Sequence, residues 1–600
     1  MPRVGAYSRV SGRPVGHAGD VEDTGTRSRL QETIENLRVA LVDAPLPLDL
    51  SGAAQARYAR HALVDQLDDY VLPRLREIDA PLLAVVGGST GAGKSTLVNS
   101  VVGTEVSPAG VLRPTTRSPV LVHHPDDEHW FTSTRILPGL ARVTGSTADA
   151  GSLHLVTSSS LPAGLALLDA PDIDSVVTAN RELAAQLLAA ADLWVFVTTA
   201  ARYADAVPWE LLRSARQRSA AVSVVLDRVP PEAIDEVTAH LARMLADRGL
   251  GEAPLFVVPE STPTVDGLLP PEVVAGVKGW LSGLAADATA RYAVIRKTLD
   301  GALASISPRV RLLISEVDAQ ARAARDLRNA VTSAYAAAVD EVDAGLSDGS
   351  VLRGEVLARW QEYVGTGELL RGLEARVGRI RDVITARLQG RPDPADDVKV
   401  ALGTGVEALV RAASDSAAES TALTWRATPG GPSLLATADD PDSLGRSSAA
   451  LTERSRRTIR DWQGFVLDLV RTEGGARRST ARYLSFGVNG AALAVMIAVF
   501  ASTGGLTGAE VVVAGGATAL SQKLLEAVFG DQAVRTLAQR ARADLRERVT
   551  VLLHEEADRY YTLLAKTGLV VDDGRSQPDP LAASRPLAAA LNDVEQETSR

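Results

Sequence analysis

Six hundred residues exceed what one hydrophobic core can organise, so roughly two to four domains are expected. The chain is 46% hydrophobic but only 4% aromatic, a balance that favours long helices over β-sandwiches. A net charge of −11 argues against a nucleic-acid binder, and the absence of cysteine excludes a disulfide framework, a thiolate metal site and a cysteine nucleophile.

Residues 1–27 are rich in Gly, Ser, Arg and Asp without apolar periodicity and read as a disordered leader. Arginines occur there with no apolar segment behind them, so no signal peptide is expected and the chain should remain on the cytoplasmic side. Across 28–79 two amphipathic helices are predicted, the first on Leu30, Ile34, Leu37 and Leu41, the second on Leu63, Leu67, Tyr70 and Val71. Both precede the first strand, so they are expected to pack with a helical stalk outside the nucleotide domain.

From 80 to 268 apolar runs alternate with helical stretches. The runs are Leu82–Val86, Val120–Val122, Leu165–Leu168, Leu193–Val197, Val222–Leu226 and Leu255–Val258. Helical pieces lie near 179–190, 208–218 and 231–248. The alternation predicts an α/β domain: a mostly parallel sheet with helices on both faces and ligands at the carboxyl ends of the strands.

Strand signals stop after 268, and 269–480 reads as an all-α bundle or stalk. Leu299, Leu303, Ile306, Val310, Leu313 and Val317 follow the heptad period of a coiled coil, as do Leu370, Leu373, Val377, Ile380, Ile384 and Leu388. Pro308 is expected to break the first series, with Ser307 capping a new helix. The Gly/Pro/Asp-rich stretch 427–447 reads as a flexible linker. The segment 484–522 is uncharged apart from Glu510, with Arg477, Arg478 and Arg482 before it and Lys523 after it. A bilayer core needs about 20 apolar residues per helix, so an apolar membrane-inserting hairpin is predicted, its first arm long enough to cross and its second marginal. A returning stalk helix is expected over 523–568 and a disordered tail over 569–600.

The chemistry is concentrated in Gly88-Ser89-Thr90-Gly91-Ala92-Gly93-Lys94-Ser95, followed by Thr96, which fits the phosphate-loop pattern G-x-x-x-x-G-K-[ST] between a predicted strand and a predicted helix. Glycines let backbone N–H groups turn around an oxyanion, Lys94 supplies a point charge to β and γ phosphates, and the Ser95 hydroxyl is a ligand for Mg²⁺ at a helix N-terminus. A nucleoside triphosphate is therefore the expected ligand. The LALLD strand ends in Asp169-Ala-Pro-Asp172 without the Glu of an ABC-type ATPase, and no LSGGQ-like helix follows the loop. A GTPase pattern fits better. Arg113-Pro-Thr-Thr116 offers a switch-I threonine for Mg²⁺ and the γ-phosphate, with Thr116 first and Thr115 second, while Asp169 has the place of a switch-II Mg²⁺ aspartate. His123, His124, Asp126, Asp127, Glu128 and His129 read as a solvated turn around Pro125 in preference to a metal site. Arg202, after the strand LWVFVTTA, has both a structural reading and that of an arginine finger supplied in cis.

With these parts assembled, the chain resembles the bacterial dynamin-like large GTPases, and more closely their actinobacterial branch, which occurs in tandem pairs and is linked to septation membranes. The resemblance rests on the N-terminal helix pair, the P-T-T and D-x-P motifs, the stalk and the apolar segment, and covers nearly the whole chain. It implies GTP and Mg²⁺ as cofactors, GTP hydrolysis, homo-oligomers, a paralogous dynamin-like partner, and remodelling or scaffolding of the cytoplasmic face of the cell membrane. The departures are specific. Many dynamins carry Gln-Ser where this chain has Thr90-Gly91, which speaks against fast turnover. Asp172 replaces the switch-II glycine. The base-reading motif [NT]-K-x-D appears as Asp227-Arg228-Val229-Pro230, so Asp227 as a substitute acceptor and a plain strand-end turn both stand open. A nucleotide-gated membrane scaffold with little hydrolysis and a soluble P-loop ATPase with a buried apolar hairpin are the competing functional readings.

Overall fold

The computed structural model describes residues 18–108, 118–133, 136–137, 139–144, 152–175, 178–217, 220–352, 354–365, 394–476, 480–501, 531–569 and 581–599. The chain divides into two compact units. The first comprises Met1–Leu46, Ala54–Asp318 and Leu581–Arg600, the second Pro47–Ala53 and Ala319–Pro580.

In the first unit, each predicted apolar run forms a strand: β1 (Leu82–Gly88), β2 (Val120–His123), β5 (Leu165–Asp169), β6 (Leu193–Thr199), β7 (Ala221–Val229) and β8 (Leu255–Pro259). Two strands lie outside those runs, β3 (Ala141–Val143) and β4 (Ser152–Thr157). The sheet order is β3-β4-β2-β5-β1-β6-β7-β8, parallel throughout except for the antiparallel β2–β5 pair. Successive strand side chains face opposite sides of a sheet, and β1 shows this directly. Leu83 and Val85 enter one core with Leu187, Leu212 and Leu241, whereas Leu82, Ala84 and Val86 enter another with Leu97, Val101, Val277 and Leu281. The first core is covered by α5 (Thr178–Ala189), α6 (Ala206–Gln217) and α7 (Ile234–Asp247), the second by α4 (Lys94–Val102) and α8 (Pro271–Ala286).

Among the described residues, the sheet is preceded by α1 (Ala18–Asp43), α2 (Ala53–Gln66) and, after a π turn at Leu67–Val71, α3 (Leu72–Arg76). Helix α1 begins inside the predicted disordered leader, whose residues 18–27 are helical. Its apolar stripe of Ile34, Leu37 and Leu41 packs with Leu63, Leu67 and Val71, with Leu299, Ile306, Val310, Leu313 and Val317, and with Leu587, Leu591 and Val594. The last three belong to a helix at Arg585–Thr598, in the stretch predicted as a disordered tail. That tail is polar on average, but Leu587, Ala590, Leu591 and Val594 of the helix fall on one buried face. Arg74 of α3 and the fully buried Asp192 form an ion pair, and Asp192 also accepts the Leu83 N–H at 2.7 Å, fixing the start of β1.

Pro308 does not break the chain as predicted: α9 runs from Ala288 to Ser347 with Pro308 inside it. A mid-helix proline removes one hydrogen bond at a cost of ~3 kcal/mol. Ile306, Val310 and Leu313 bury a continuous stripe across it, and that packing prevails over the local preference.

The second unit is helical, with α10 (Glu355–Gly365), α11 (Pro394–Ala427), α12 (Leu451–Ala476), α13 (Thr480–Ala501) and α14 (Asp531–Ala565) following the end of α9. Three of its buried rings, those of Trp425, Trp462 and Tyr560, find carbonyl partners. Trp425 donates to Leu327 O at 2.9 Å, Trp462 to Ala541 O at 2.7 Å and Tyr560 to Ala418 O at 3.0 Å. The predicted flexible linker 427–447 is instead a packed connection. It contains a short helix at Gly431–Leu435 and a 3₁₀ turn at Pro441–Gly445, with Leu434, Leu435 and Leu444 buried. The buried Glu556 carboxylate closes it, accepting the backbone and hydroxyl of Ser448 at 2.8 and 2.6 Å and Arg454 at 2.7 Å.

Among the described residues the membrane hairpin is not found. Its predicted first arm falls in α13, whose Leu493 and Ile497 pack on Trp360, Ala395 and Val398, while Phe500 lies edge-on to Trp462 at 5.8 Å. Among the described residues no helix is long and apolar enough to cross a membrane. Uncharged Ala-rich sequence satisfies a bundle interior as well as a bilayer, and here the neighbouring helices supply the apolar surroundings. The second arm, and the heptad series at 370–388, lie outside the described residues. The predicted returning helix is present as α14.

The helix at Arg585–Thr598 (α15) is expected to be an integral part of the first unit. Leu591→Ala should destabilise that unit by about 2–5 kcal/mol, as large-to-small core changes do, read as lost amide hydrogen-exchange protection over residues 30–41. Unchanged protection there would mean α15 contributes no core.

Candidate functional site

The site lies at the carboxyl ends of β1, β5, β6 and β7. The β1 run is buried along its whole length, and the chain then turns through Gly91 (φ +72°) and Gly93 (φ +93°) into α4. Two glycines are sterically required. A Cβ on Gly88 would sit 2.1 Å from Val197 O, and one on Gly93 would sit 2.3 Å from the Asp227 carboxylate. Ala92 closes the turn by donating to Ser89 O at 3.0 Å, and Leu97 donates to Gly93 O at 2.8 Å to start the helix on which Ser95 and Thr96 sit.

Lys94 is almost completely buried. Its ammonium donates to Gly88 O at 3.0 Å and Ser89 O at 3.2 Å and forms an ion pair with Asp172. Ser95 Oγ donates to Asp169 Oδ2 at 2.6 Å, and Ser107 Oγ donates to the same oxygen at 2.6 Å. Asp169 is fully buried and its other oxygen, Oδ1, has no hydrogen-bond partner. Burial pushes this carboxyl above the ordinary aspartate range, against the hydrogen bonds from Ser107 and Ser95 that lower it. A serine hydroxyl beside a carboxylate with an unused buried oxygen is a hard-oxygen donor set, and it fits Mg²⁺.

A third carboxylate of the same segment holds the tip of the loop. Asp174 Oδ1 accepts the backbone N–H and the hydroxyl of Thr90 at 2.5 and 2.6 Å. Its Oδ2 accepts Arg202 at 2.9 Å, and Arg202 also donates to Thr90 O at 3.0 Å and to Asp205 at 2.8 Å. Burial raises the Asp174 carboxyl, but the bonds from Thr90 and Arg202 outweigh it and hold the group below its usual range. Arg202 is thus engaged in positioning the loop.

Asp227, two residues before the end of β7, faces the loop, is 6% exposed, and accepts the Arg228 N–H at 2.9 Å. Burial raises its carboxyl, opposed by the charge of Arg228. Arg228 adopts φ +54°, uncommon for a residue with a side chain, and donates to Gly91 O at 2.5 Å. The phosphate-loop residues and Asp169 are therefore brought together. Thr115 and Thr116 lie outside the described residues. Within the His123–His129 stretch Pro125–Asp127 forms a 3₁₀ turn, where His124 Nδ1 accepts the Asp126 N–H at 3.2 Å. Among the described residues no cluster of three or more His, Cys, Asp or Glu could hold a metal.

Ser107, Asp174 and the loop contact of Arg228 were not legible in the sequence. Asp174 had a signal in hindsight, as the third carboxylate of Asp-Ala-Pro-Asp-Ile-Asp. Ser107 had none, since its approach to Asp169 is created by Asn99, whose side chain accepts the Ser107 N–H at 2.9 Å.

No family model matches the chain. No curated protein matches it. Among solved structures it is similar to two described under an oligomerised bacterial dynamin pair that provides a mechanism for the long-range sensing and tethering of membranes. One is 10% identical over 94% of this chain and 95% of that one, with a TM-score of 0.38; the other is 10% identical over 90% and 95%, with a TM-score of 0.37. It is also similar to Toc33 from Arabidopsis thaliana in complex with GDP and Mg²⁺, 12% identical over 41% of this chain and 96% of that one, with a TM-score of 0.22. All three scores are low, so the reading of the site rests on the chain's own residues.

The raised Asp169 carboxyl has a stability consequence of definite sign. A folded-state value above the unfolded one gives stability that is present at low pH and lost as pH rises through the folded value. Asp169→Asn should therefore raise the melting temperature of the metal-free chain at neutral pH, with the difference from wild type shrinking as pH falls. A variant that melts lower than wild type at neutral pH would contradict this.

Proposed function

We propose that the chain is a dynamin-like GTPase that binds GTP with Mg²⁺. The observation that carries this reading is the phosphate loop with Lys94 buried at its centre and Ser95 bonded to Asp169. Lys94 would hold the β and γ phosphates, and backbone N–H groups of Gly91–Ser95 at the start of α4 would surround the β phosphate. Ser95 and Asp169 would hold the Mg²⁺, which screens phosphate charge when bound, and Thr116 would close on the γ-phosphate. Thr90 is held at the tip of the loop by Asp174 and Arg202. Guanine preference, oligomerisation with itself and with a paralogous chain, and action at the cytoplasmic face of the cell membrane, including the division septum, rest on the sequence resemblance.

A second reading, a nucleotide-gated membrane scaffold with little turnover, is favoured by a specific feature. Arg202 is tied to Asp174, Asp205 and Thr90, and Thr90-Gly91 stand where a Gln-Ser pair would assist hydrolysis.

GTP and ATP turnover measured with and without liposomes separates these readings. Membrane-stimulated GTP turnover is expected; tight GTP binding without turnover would select the scaffold, and lipid-indifferent ATP turnover would overturn both. Lys94→Ala should abolish triphosphate binding and leave helical circular dichroism unchanged, and retained binding of a fluorescent nucleotide would remove Lys94 from the site. Thr116→Ala should weaken triphosphate binding in Mg²⁺ far more than diphosphate binding, because the γ-phosphate is what a switch threonine reports. Equal losses would exclude that role.

A further inference from the structure

An ammonium group has three N–H donors. Those of Lys94 have three partners in the structure: Gly88 O, Ser89 O and the Asp172 carboxylate. Two of these are backbone carbonyls of the loop itself. The third is an anion from another strand end, and it stands where a phosphate oxygen would receive the lysine's charge. Lys94 is 5% exposed and Asp172 20%, so Asp172 lies on the solvent side of the pair.

The placement of Asp172 is built into the backbone. Ala170 N–H donates to Val86 O at 3.1 Å, and Ile173 N–H donates to Gly88 O at 3.4 Å, which stitches the segment along the end of β1. Ser175 N–H donates to Asp172 O at 3.3 Å, and Asp174 binds Thr90. The residue types on either side cannot supply the same contact, since Ala170 and Pro171 precede it and Ile173 follows.

We infer that Asp172 occupies the phosphate seat on Lys94, must be displaced by an incoming nucleotide, and so sets the affinity of the site. The inference rests on the reading of Lys94 as the phosphate lysine. A phosphate reaching Lys94 meets a carboxylate of its own sign at contact distance, which opposes binding until the Asp172 side chain swings outward. Ligands that offer phosphate contacts alone, such as pyrophosphate, gain too little to move it. A nucleoside triphosphate with Mg²⁺ adds contacts to Ser95, Asp169 and the loop, and these offset the lost ion pair. The ligand shifts the segment only by its difference in affinity for the two arrangements.

The test is equilibrium titration of the full chain in Mg²⁺ with a fluorescent, non-hydrolysable GTP analogue, followed by competition with pyrophosphate. Wild type is compared with Asp172→Asn and Asp172→Gly, and with Asp174→Asn as a control from the same segment. Both Asp172 variants should bind the analogue about tenfold more tightly, equivalent to about 1.4 kcal/mol. In them pyrophosphate should compete at correspondingly lower concentration, whereas Asp174→Asn should show no tightening. Two Asp172 variants guard against one of them misfolding. Analogue binding by wild type that is unchanged or weakened in both Asp172 variants would overturn the inference, as would equal tightening by Asp174→Asn. No analogue binding by any chain would instead bring down the phosphate-site reading, and the inference with it.

Discussion

Everything at the site depends on burying one lysine at the mouth of a glycine turn. A charged ammonium taken out of water must be fully bonded, and here the bonds come from two loop carbonyls and the Asp172 carboxylate. That requirement explains the neighbouring geometry. The loop must curl tightly enough to bring Gly88 O and Ser89 O to the lysine, which needs the positive φ values of Gly91 and Gly93. Tight curling brings Gly93 against Asp227 and Gly88 against Val197, leaving no room for a Cβ at either position. The carboxylates of Asp169, Asp172 and Asp174 then reach Ser95, Lys94 and Thr90 in turn. One six-residue stretch at the end of β5 thereby contacts the phosphate loop at its helix, its centre and its tip.

This arrangement exchanges stability for binding capacity. Asp169 is buried with one oxygen unpaired, an unfavourable state for a carboxylate that only a cation or a proton relieves. The strand beneath compensates through ordinary means. β1 is paired on both sides with parallel strands and buries alternate residues in two cores. The Arg74–Asp192 pair fixes its entry. A strand paired on both sides thus carries a loop that faces a buried carboxylate with one oxygen unpaired.

The parallel sheet and the phosphate loop were legible because their signals are local: short apolar runs and a fixed glycine–lysine spacing. β3 and β4 were not, since neither Ala-Arg-Val nor Ser-Leu-His-Leu-Val-Thr is an unbroken apolar run, and sheet pairing defines them. Pro308, the 427–447 connection and the Arg585–Thr598 helix were misread for one shared reason. Local breakers and polar composition speak against structure, whereas Ile306 and Val310, Leu434 and Leu444, and Leu591 and Val594 bury apolar surface against partners distant in sequence. The apolar first arm within α13 was misread in the opposite direction, because sequence alone does not say whether Leu493 and Ile497 meet lipid or Trp360. At the site, Lys94, Ser95 and Asp169 were legible as a motif. Asp174 and Ser107 were not, because tertiary contacts bring them to Thr90 and Asp169.

The central claim is that Lys94, Ser95 and Asp169 form one site for a magnesium-bound nucleotide. Calorimetric titration of the purified chain with GTP, in Mg²⁺ and then in EDTA, tests it most directly. A single nucleotide per chain is expected in Mg²⁺, with binding at least about tenfold weaker once the metal is chelated, since Ser95 and Asp169 then have no cation to share with the phosphates. Binding of equal strength in EDTA, or no heat of binding in Mg²⁺, would contradict it.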